Sequence, residues 1–218
     1  MEENLASLSI GDGEEEVFEV PSELLETEDD YAHCLVGKFL TSSVIHFLAM
    51  RNTLADLWHP LGGISITDIG EKRICFRFYT EIDMNRVLEG CPWFFNGHLL
   101  VLRRLDKGDD PLQVPIEFAS FWVQVHNLPP GLMSEGMAKQ FGKFIGQFLE
   151  YDSKLVITGR KQYMRIKVGV HINCPLKRKK KISLGKDRTV YVFFQYEKLS
   201  LFCFICGLGT GKAFAHFA

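Results

Sequence analysis

Between residues 34 and 105 the apolar residues switch repeatedly between the period of a strand and that of a helix, and this alternation limits the fold more than any composition value. "CLVGKFLT" (34–41) is a compact apolar run, the mark of a buried strand. Ser42 or Ser43 then offers a helix cap, and Val44, Phe47, Leu48, Leu54 and Trp58 fall on one helical face before Pro60 and Gly62-Gly63 end it. "ISITDIG" (64–70) and "KRICFRFYT" (72–80) flank a short turn and read as a hairpin. Met84, Val87, Leu88 and Cys91 recur at helical spacing, and "PWFFNGHLLVLRRL" (92–105) supplies a turn at Asn96-Gly97 and a last strand. The resulting order, β-α-β-β-α-β, is the split ferredoxin-like pattern shared by RNA-recognition folds, so an α+β class is expected.

A segment with two prolines and mixed charge, 106–115, reads as a linker. Beyond it, 116–200 forms a second α+β half. "FASFWVQVHNLP" (118–129) is a strand stopped by Pro129-Pro130, and a helix begins at Ser134, with Met137, Phe141, Phe144, Ile145, Phe148 and Leu149 as its apolar stripe. Gly142 and Gly146 lie four apart, a place for close backbone approach to a sheet. "YMRIKVGVHI" (163–172), "KKISL" (180–184) and "TVYVFFQYEKL" (189–199) are strand-like.

Charge divides the chain. Residues 1–30 hold twelve Asp and Glu and no Lys or Arg, and read as a disordered acidic arm. Residues 31–218 hold 25 Lys and Arg against 15 Asp and Glu, a net of +10 that suits a polyanionic partner. Such an arm would compete for the basic surface. The N-terminus lacks the apolar core of a secretory signal, and no apolar run reaches the length of a membrane span. Six cysteines, at 34, 75, 91, 174, 203 and 206, lie mostly inside apolar runs, as reduced thiols do. An intracellular protein, nuclear or cytoplasmic, with no membrane partner is expected; oligomeric state is not readable.

Strand alternation sorts the second half into two faces. Ile166, Val168 and Val170 share one side of their strand; Arg165, Lys167 and His171 share the other. Trp122 opposes Phe121 and Val123, and Tyr191 and Phe193 oppose Val190, Val192 and Phe194. If the strands share a sheet, Arg165, Lys167, Trp122 and Tyr191 display cations among flat rings, the combination a single-stranded nucleic acid needs. The bland alternative buries Trp122 and Phe193 under the first half, as a core between the halves. The run Lys177, Arg178, Lys179, Lys180, Lys181 would form a lysine-rich loop contacting phosphates, and it has the composition of a nuclear-import sequence. The first half lacks the aromatic signature of RNA-recognition domains: Arg73 and Cys75 stand where glycine and small residues are wanted.

The C-terminal "YEKLSLFCFICGLGTGKAFAHFA" (196–218) suggests either a phosphate loop or a zinc knuckle. Cys206 and Ala213 break the pattern G-x-x-x-x-G-K-[ST]. Against C-x2-C-x4-H-x4-C, Cys203 and Cys206 fit, Gly211 replaces the histidine, and His216 takes the place of the last cysteine. Cys203, Cys206 and His216 thus make an incomplete zinc set, since structural zinc takes four protein ligands. His33, His126 and Cys34 lack any paired motif for acid–base or nucleophilic chemistry, so no catalytic residue is assigned.

The blocks "LVGKFLT", "RNTLADLWHPLGG", "VLEGCPWFFNGHLLVLRR", "FWVQVHNLP" and "YEKLSLFCFICG", in this order across residues 31–207, resemble a plant domain-of-unknown-function family found upstream of a CCHC zinc knuckle in proteins of non-LTR retrotransposon origin. The resemblance implies nucleic-acid binding through the domain and the knuckle, and no catalytic residues in this region. The chain departs from the family after Gly207, leaving 201–218 as a truncated, knuckle-like tail. Taken together, the sequence predicts a non-enzymatic protein that binds RNA or single-stranded DNA. The alternative is a protein–protein interaction or assembly module that has lost nucleic-acid binding.

Overall fold

Ten strands and three helices form among the residues that the computed structural model describes, which are 32–129, 131–153, 163–185 and 188–199. In chain order they are β1 (Cys34–Phe39), α1 (Phe47–Trp58), β2 (Ile64–Gly70), β3 (Arg73–Phe78), α2 (Glu81–Gly90), β4 (Trp93–Phe95), β5 (His98–Arg104), β6 (Phe118–His126), α3 (Glu135–Ile145), β7 (Gln147–Tyr151), β8 (Met164–His171), β9 (Lys179–Ser183) and β10 (Thr189–Tyr196). The class is α+β. Two antiparallel five-stranded sheets carry it, one in the order β2-β3-β1-β5-β4 and the other β7-β8-β6-β10-β9.

Local chemistry explains the first sheet. Glu71 and Lys72 both take positive φ, giving the two-residue turn that joins β2 to β3. Asn96 and Gly97 do the same between β4 and β5, so the short β4 is added at the sheet edge beyond the β-α-β-β-α-β order. Leu35, Phe39, Phe76, Phe78 and Leu100 face α1 and α2 and pack with Met50, Leu54, Trp58, Met84 and Val87. The first helix differs from expectation. His46, not Ser42 or Ser43, caps it, its Nδ1 accepting from the Ala49 N–H at 3.2 Å. Its buried stripe is Met50, Leu54 and Trp58, while Val44 precedes the helix and is 98% exposed. The cause lies in the loop before it: the Ser43 N–H donates to Thr41 Oγ1, which delays the helix.

Asp83 fastens α2 to the turn that follows α1. Its carboxylate accepts from the Leu61 and Gly62 N–H groups at 3.1 and 2.8 Å and from the Thr80 hydroxyl at 2.9 Å. Arg86 pairs with it at 3.0 Å and also donates to the Trp58 and His59 carbonyls. The Gly62 N–H foremost, with Leu61, Thr80 and Arg86, holds this carboxyl below the usual carboxylate range.

The second sheet is built on close approach. A Cβ at Gly146 would sit 2.2 Å from the Gly169 carbonyl oxygen of β8, and one at Gly142 2.7 Å from the Phe148 Cβ. Two glycines four residues apart thus let α3 lie against the strands, as their spacing predicts. The helix ends at Gly146, so Phe148 and Leu149 belong to β7 rather than to the helical stripe. Ala138, Phe141 and Ile145 meet Phe121, Val123, Val125, Ile166, Val168, Val192 and Phe194.

The same apolar cluster takes in Cys34, Val36 and Val101 from the helix-free side of the first sheet, together with Leu105, Val114 and Ile116. The segment 106–115 is tied down: Arg73 donates to the Pro111 and Val114 carbonyls at 3.1 and 2.7 Å, and Arg103 to that of Pro115 at 3.1 Å.

Candidate nucleic-acid interface

Antiparallel register decides which side chains on the helix-free face of the second sheet become neighbours. Lys181 lies opposite Tyr191 and Lys179 opposite Phe193 on the β9–β10 pair. Phe193 in turn lies opposite His126 on β6. Farther along, Gln124 is opposite Arg165 and Trp122 opposite Lys167. Partners in register share a face, so cations at the β9 edge give way to rings in the middle of the sheet.

The ring region is accessible. Tyr191 is 48% and Phe193 41% exposed, unusual for aromatic side chains, and the Lys179 Nζ stands 5.2 Å from the Tyr191 ring centroid. The His126 ring lies 4.9 Å from that of Tyr163, inclined by 37°. Burial holds the His126 imidazole below its ordinary value.

Trp122, Arg165 and Lys167 occupy a different setting. The Arg165 guanidinium covers the Trp122 ring at 3.8 Å. It donates to both Glu197 carboxylate oxygens, at 2.9 and 2.8 Å, and to Asp152 at 3.0 Å. The Glu197 pairing foremost raises the Arg165 pKa. Gln124 extends the network, its Nε2 donating to Glu197 at 2.8 Å and its Oε1 lying 3.0 Å from His126 Nε2. Lys167 is only 8% exposed, and its ammonium donates to the Glu89 carbonyl at the end of α2. Lys198 makes the matching contact to the Gly90 carbonyl at 3.2 Å. Burial pushes the neighbouring Cys91 thiol up to about 11. This end of the sheet therefore joins the two halves, close to the bland alternative that the sequence left open.

The basic run is not a loop. Lys179, Lys180 and Lys181 open the edge strand β9, and only Lys177 and Arg178 precede it. Alternation sends Lys179 and Lys181 to the ring face and Lys180 to the α3 side, where its Nζ stands 4.2 Å from the Phe144 ring centroid and that of Lys177 stands 6.0 Å away. All five cations are exposed. Alternation puts Phe193 on the face of Tyr191, whereas Tyr163 is not among the residues that sequence pattern singles out. Their alternation with buried neighbours is legible, but their place beside His126 requires the register.

Cys203, Cys206 and His216 lie outside the described residues, and among the described residues no group of three or more His, Cys, Asp and Glu side chains is arranged to hold a metal. Of the described donors nearest in sequence, His171 accepts from the Asn173 N–H at Nδ1 and meets the Phe118 ring edge-on. Two cysteines at the right spacing with Gly211 in the histidine position do not complete a four-ligand shell. No helix among the described residues is long and apolar enough to cross a membrane.

Residues 27–113 match the family described as "Domain of unknown function (DUF4283)", and residues 170–213 match that described as "Zinc knuckle". The first match takes in β1 to β5. The second includes β9 and β10, with their lysines and rings, and both Cys203 and Cys206, and stops before His216. No match to a curated protein was found. A match to DUF4283 is thus followed along the chain by a match to a zinc knuckle, the arrangement its sequence blocks resemble.

Proposed function

We propose that this chain is a non-enzymatic protein that binds single-stranded nucleic acid, RNA or DNA, on the helix-free face of its second sheet. One observation carries this: across β9 and β10 each exposed ring has a lysine in register, Lys181 with Tyr191 and Lys179 with Phe193. A single strand offers bases that stack on rings and phosphates that pair with ammonium groups; a duplex hides its base faces. The zinc knuckle match and the +10 net charge of residues 31–218 support the same partner class.

Roles divide by geometry. Tyr191 and Phe193 stack bases, with His126 and Tyr163 beside them. Residues 177–181 supply phosphate contacts, and the run also fits nuclear import. Trp122, Arg165 and Lys167 frame the platform, because Arg165 commits its donors to Glu197 and Asp152 and Lys167 commits its own to Glu89. Lysines also guard exposed sheet edges against foreign strands, but that role requires no aromatic partner. Double replacement of Tyr191 and Phe193 by Ala separates the two: a fall in affinity for labelled oligonucleotides supports stacking, and unchanged affinity leaves only edge protection.

A second role, as an assembly module, is favoured by Leu61 and Ile82, which are 83% and 77% exposed around the start of α2. Size-exclusion chromatography with light scattering, with and without RNA, tests it: a defined oligomer formed without nucleic acid supports assembly, and a monomer that shifts only with RNA opposes it.

A further inference from the structure

The lysines of β9 point two ways, and the side away from the rings is also shaped to receive something. Between β9 and α3 runs a groove of about 660 Å³ lined by Pro129, Leu132, Met137, Gln140, Ile182 and Leu184. Residues of β9 and α3 line it from two sides. On the strand, Lys180 and Ile182 share the α3 side, because they lie opposite Val192 and Val190. On the helix, Met137, Gln140 and Phe144 recur at i, i+3 and i+7 and form one stripe. Lys180 stands over Phe144 at 4.2 Å, with Lys177 at 6.0 Å from the same ring, so two cations lie one helical turn beyond Gln140 along this stripe. β9 is the last strand of its sheet and pairs with β10, whose other face carries Tyr191 and Phe193.

Resting on the nucleic-acid reading above, we propose that the bound single strand crosses the β9 edge and places a base in this groove, with Lys177 and Lys180 holding the phosphate at the crossing. The apolar floor takes the base plane, and the exposed Gln140 amide offers a donor and an acceptor at its rim. Charge complementarity and continuity with the ring face both select nucleic acid as the occupant. The lysine alternation that looks redundant in a run of cations then has a purpose: neighbouring side chains clamp one backbone from both sides of an edge.

The test uses the full chain and fluorescence anisotropy with labelled oligothymidylates from about 4 to about 12 nucleotides, within the range one small domain covers. Wild-type affinity is expected to keep rising with length. Gln140→Trp fills the groove without changing charge and should abolish the gain for the longer oligomers, roughly tenfold. Lys177→Glu with Lys180→Glu should lower the slope of log K against log salt by about 0.7 for each phosphate no longer neutralised. If both variants bind like wild type while Lys179→Glu with Lys181→Glu weakens binding, the crossing is overturned and the ring-face site stands. If none of these variants changes binding, both fail. If a polyglutamate peptide binds the wild type and is excluded by Gln140→Trp while oligonucleotides are unaffected, the groove belongs to a peptide and the proposal is overturned.

Discussion

Arg165 shows how a residue's identity and its task can separate. Alternation in "RIKVGVHI" predicts its face, and the structure places it there, opposite Gln124. Which groups take its donors depends on Glu197 and Asp152, which reach it only through the pairing of separate strands. Arg165→Ala leaves two half-buried carboxylates without their cation and should cost about 1–3 kcal/mol of stability in denaturant titrations, with affinity for oligonucleotides changed less than about twofold. Asp83 is the matching case in the first half, a buried carboxylate satisfied by backbone N–H groups that sequence inspection cannot assign. Because its folded pKa is depressed, its contribution is present above the ordinary carboxylate value and disappears as pH falls through the folded one. Asp83→Asn should therefore lower the melting temperature at pH 7, and the gap to wild type should narrow in strongly acidic buffer. A constant gap across that range would show that the charge is not what stabilises the turn.

At the scale of elements, backbone approach and strand register decide what periodicity leaves open. The glycine spacing in α3 is legible because a Gly-x-x-x-Gly pair has few other uses on an apolar helix. Its consequence is severe: Gly146→Ala would force a Cβ to within 2.2 Å of the Gly169 carbonyl oxygen. It should destabilise the protein by about 2–4 kcal/mol, measured by thermal or urea unfolding, since backbone cannot move aside as a flexible side chain does. β7 is hidden in the sequence because Phe148 and Leu149 continue the helical spacing of α3, whereas the chain leaves the helix at Gly146 and pairs with β8. β9 is half legible: "KKISL" reads as a strand, yet a run of five cations suggests a solvated loop. Its register on β10 turns charge into a site. Tyr191→Ala and Phe193→Ala should each weaken single-strand binding by about 1–3 kcal/mol, the usual worth of a stacked base, and barely change the melting temperature because both rings are already exposed.

Across the whole molecule, the two sheets expose different amounts of themselves. The helix-free side of the first sheet contributes Cys34, Val36 and Val101 to the cluster that underlies the second. The equivalent side of the second sheet keeps Tyr191 and Phe193 in contact with solvent, beside the lysines of β9. Sequence pattern assigns both halves an α+β character but cannot say which sheet is covered, because covering depends on which segments meet in the fold and not on alternation within one strand. The central claim is that the second sheet's face carries rings and cations for one strand of nucleic acid. Its most direct measurement is the affinity of the full chain for a labelled single-stranded RNA and its DNA counterpart across a salt series, with the corresponding duplexes alongside. Single strands should bind more tightly than duplexes, with log K falling against log salt by about 0.7 per phosphate contact. Failure of any single strand to bind at low salt, or tighter binding of duplexes, would contradict it.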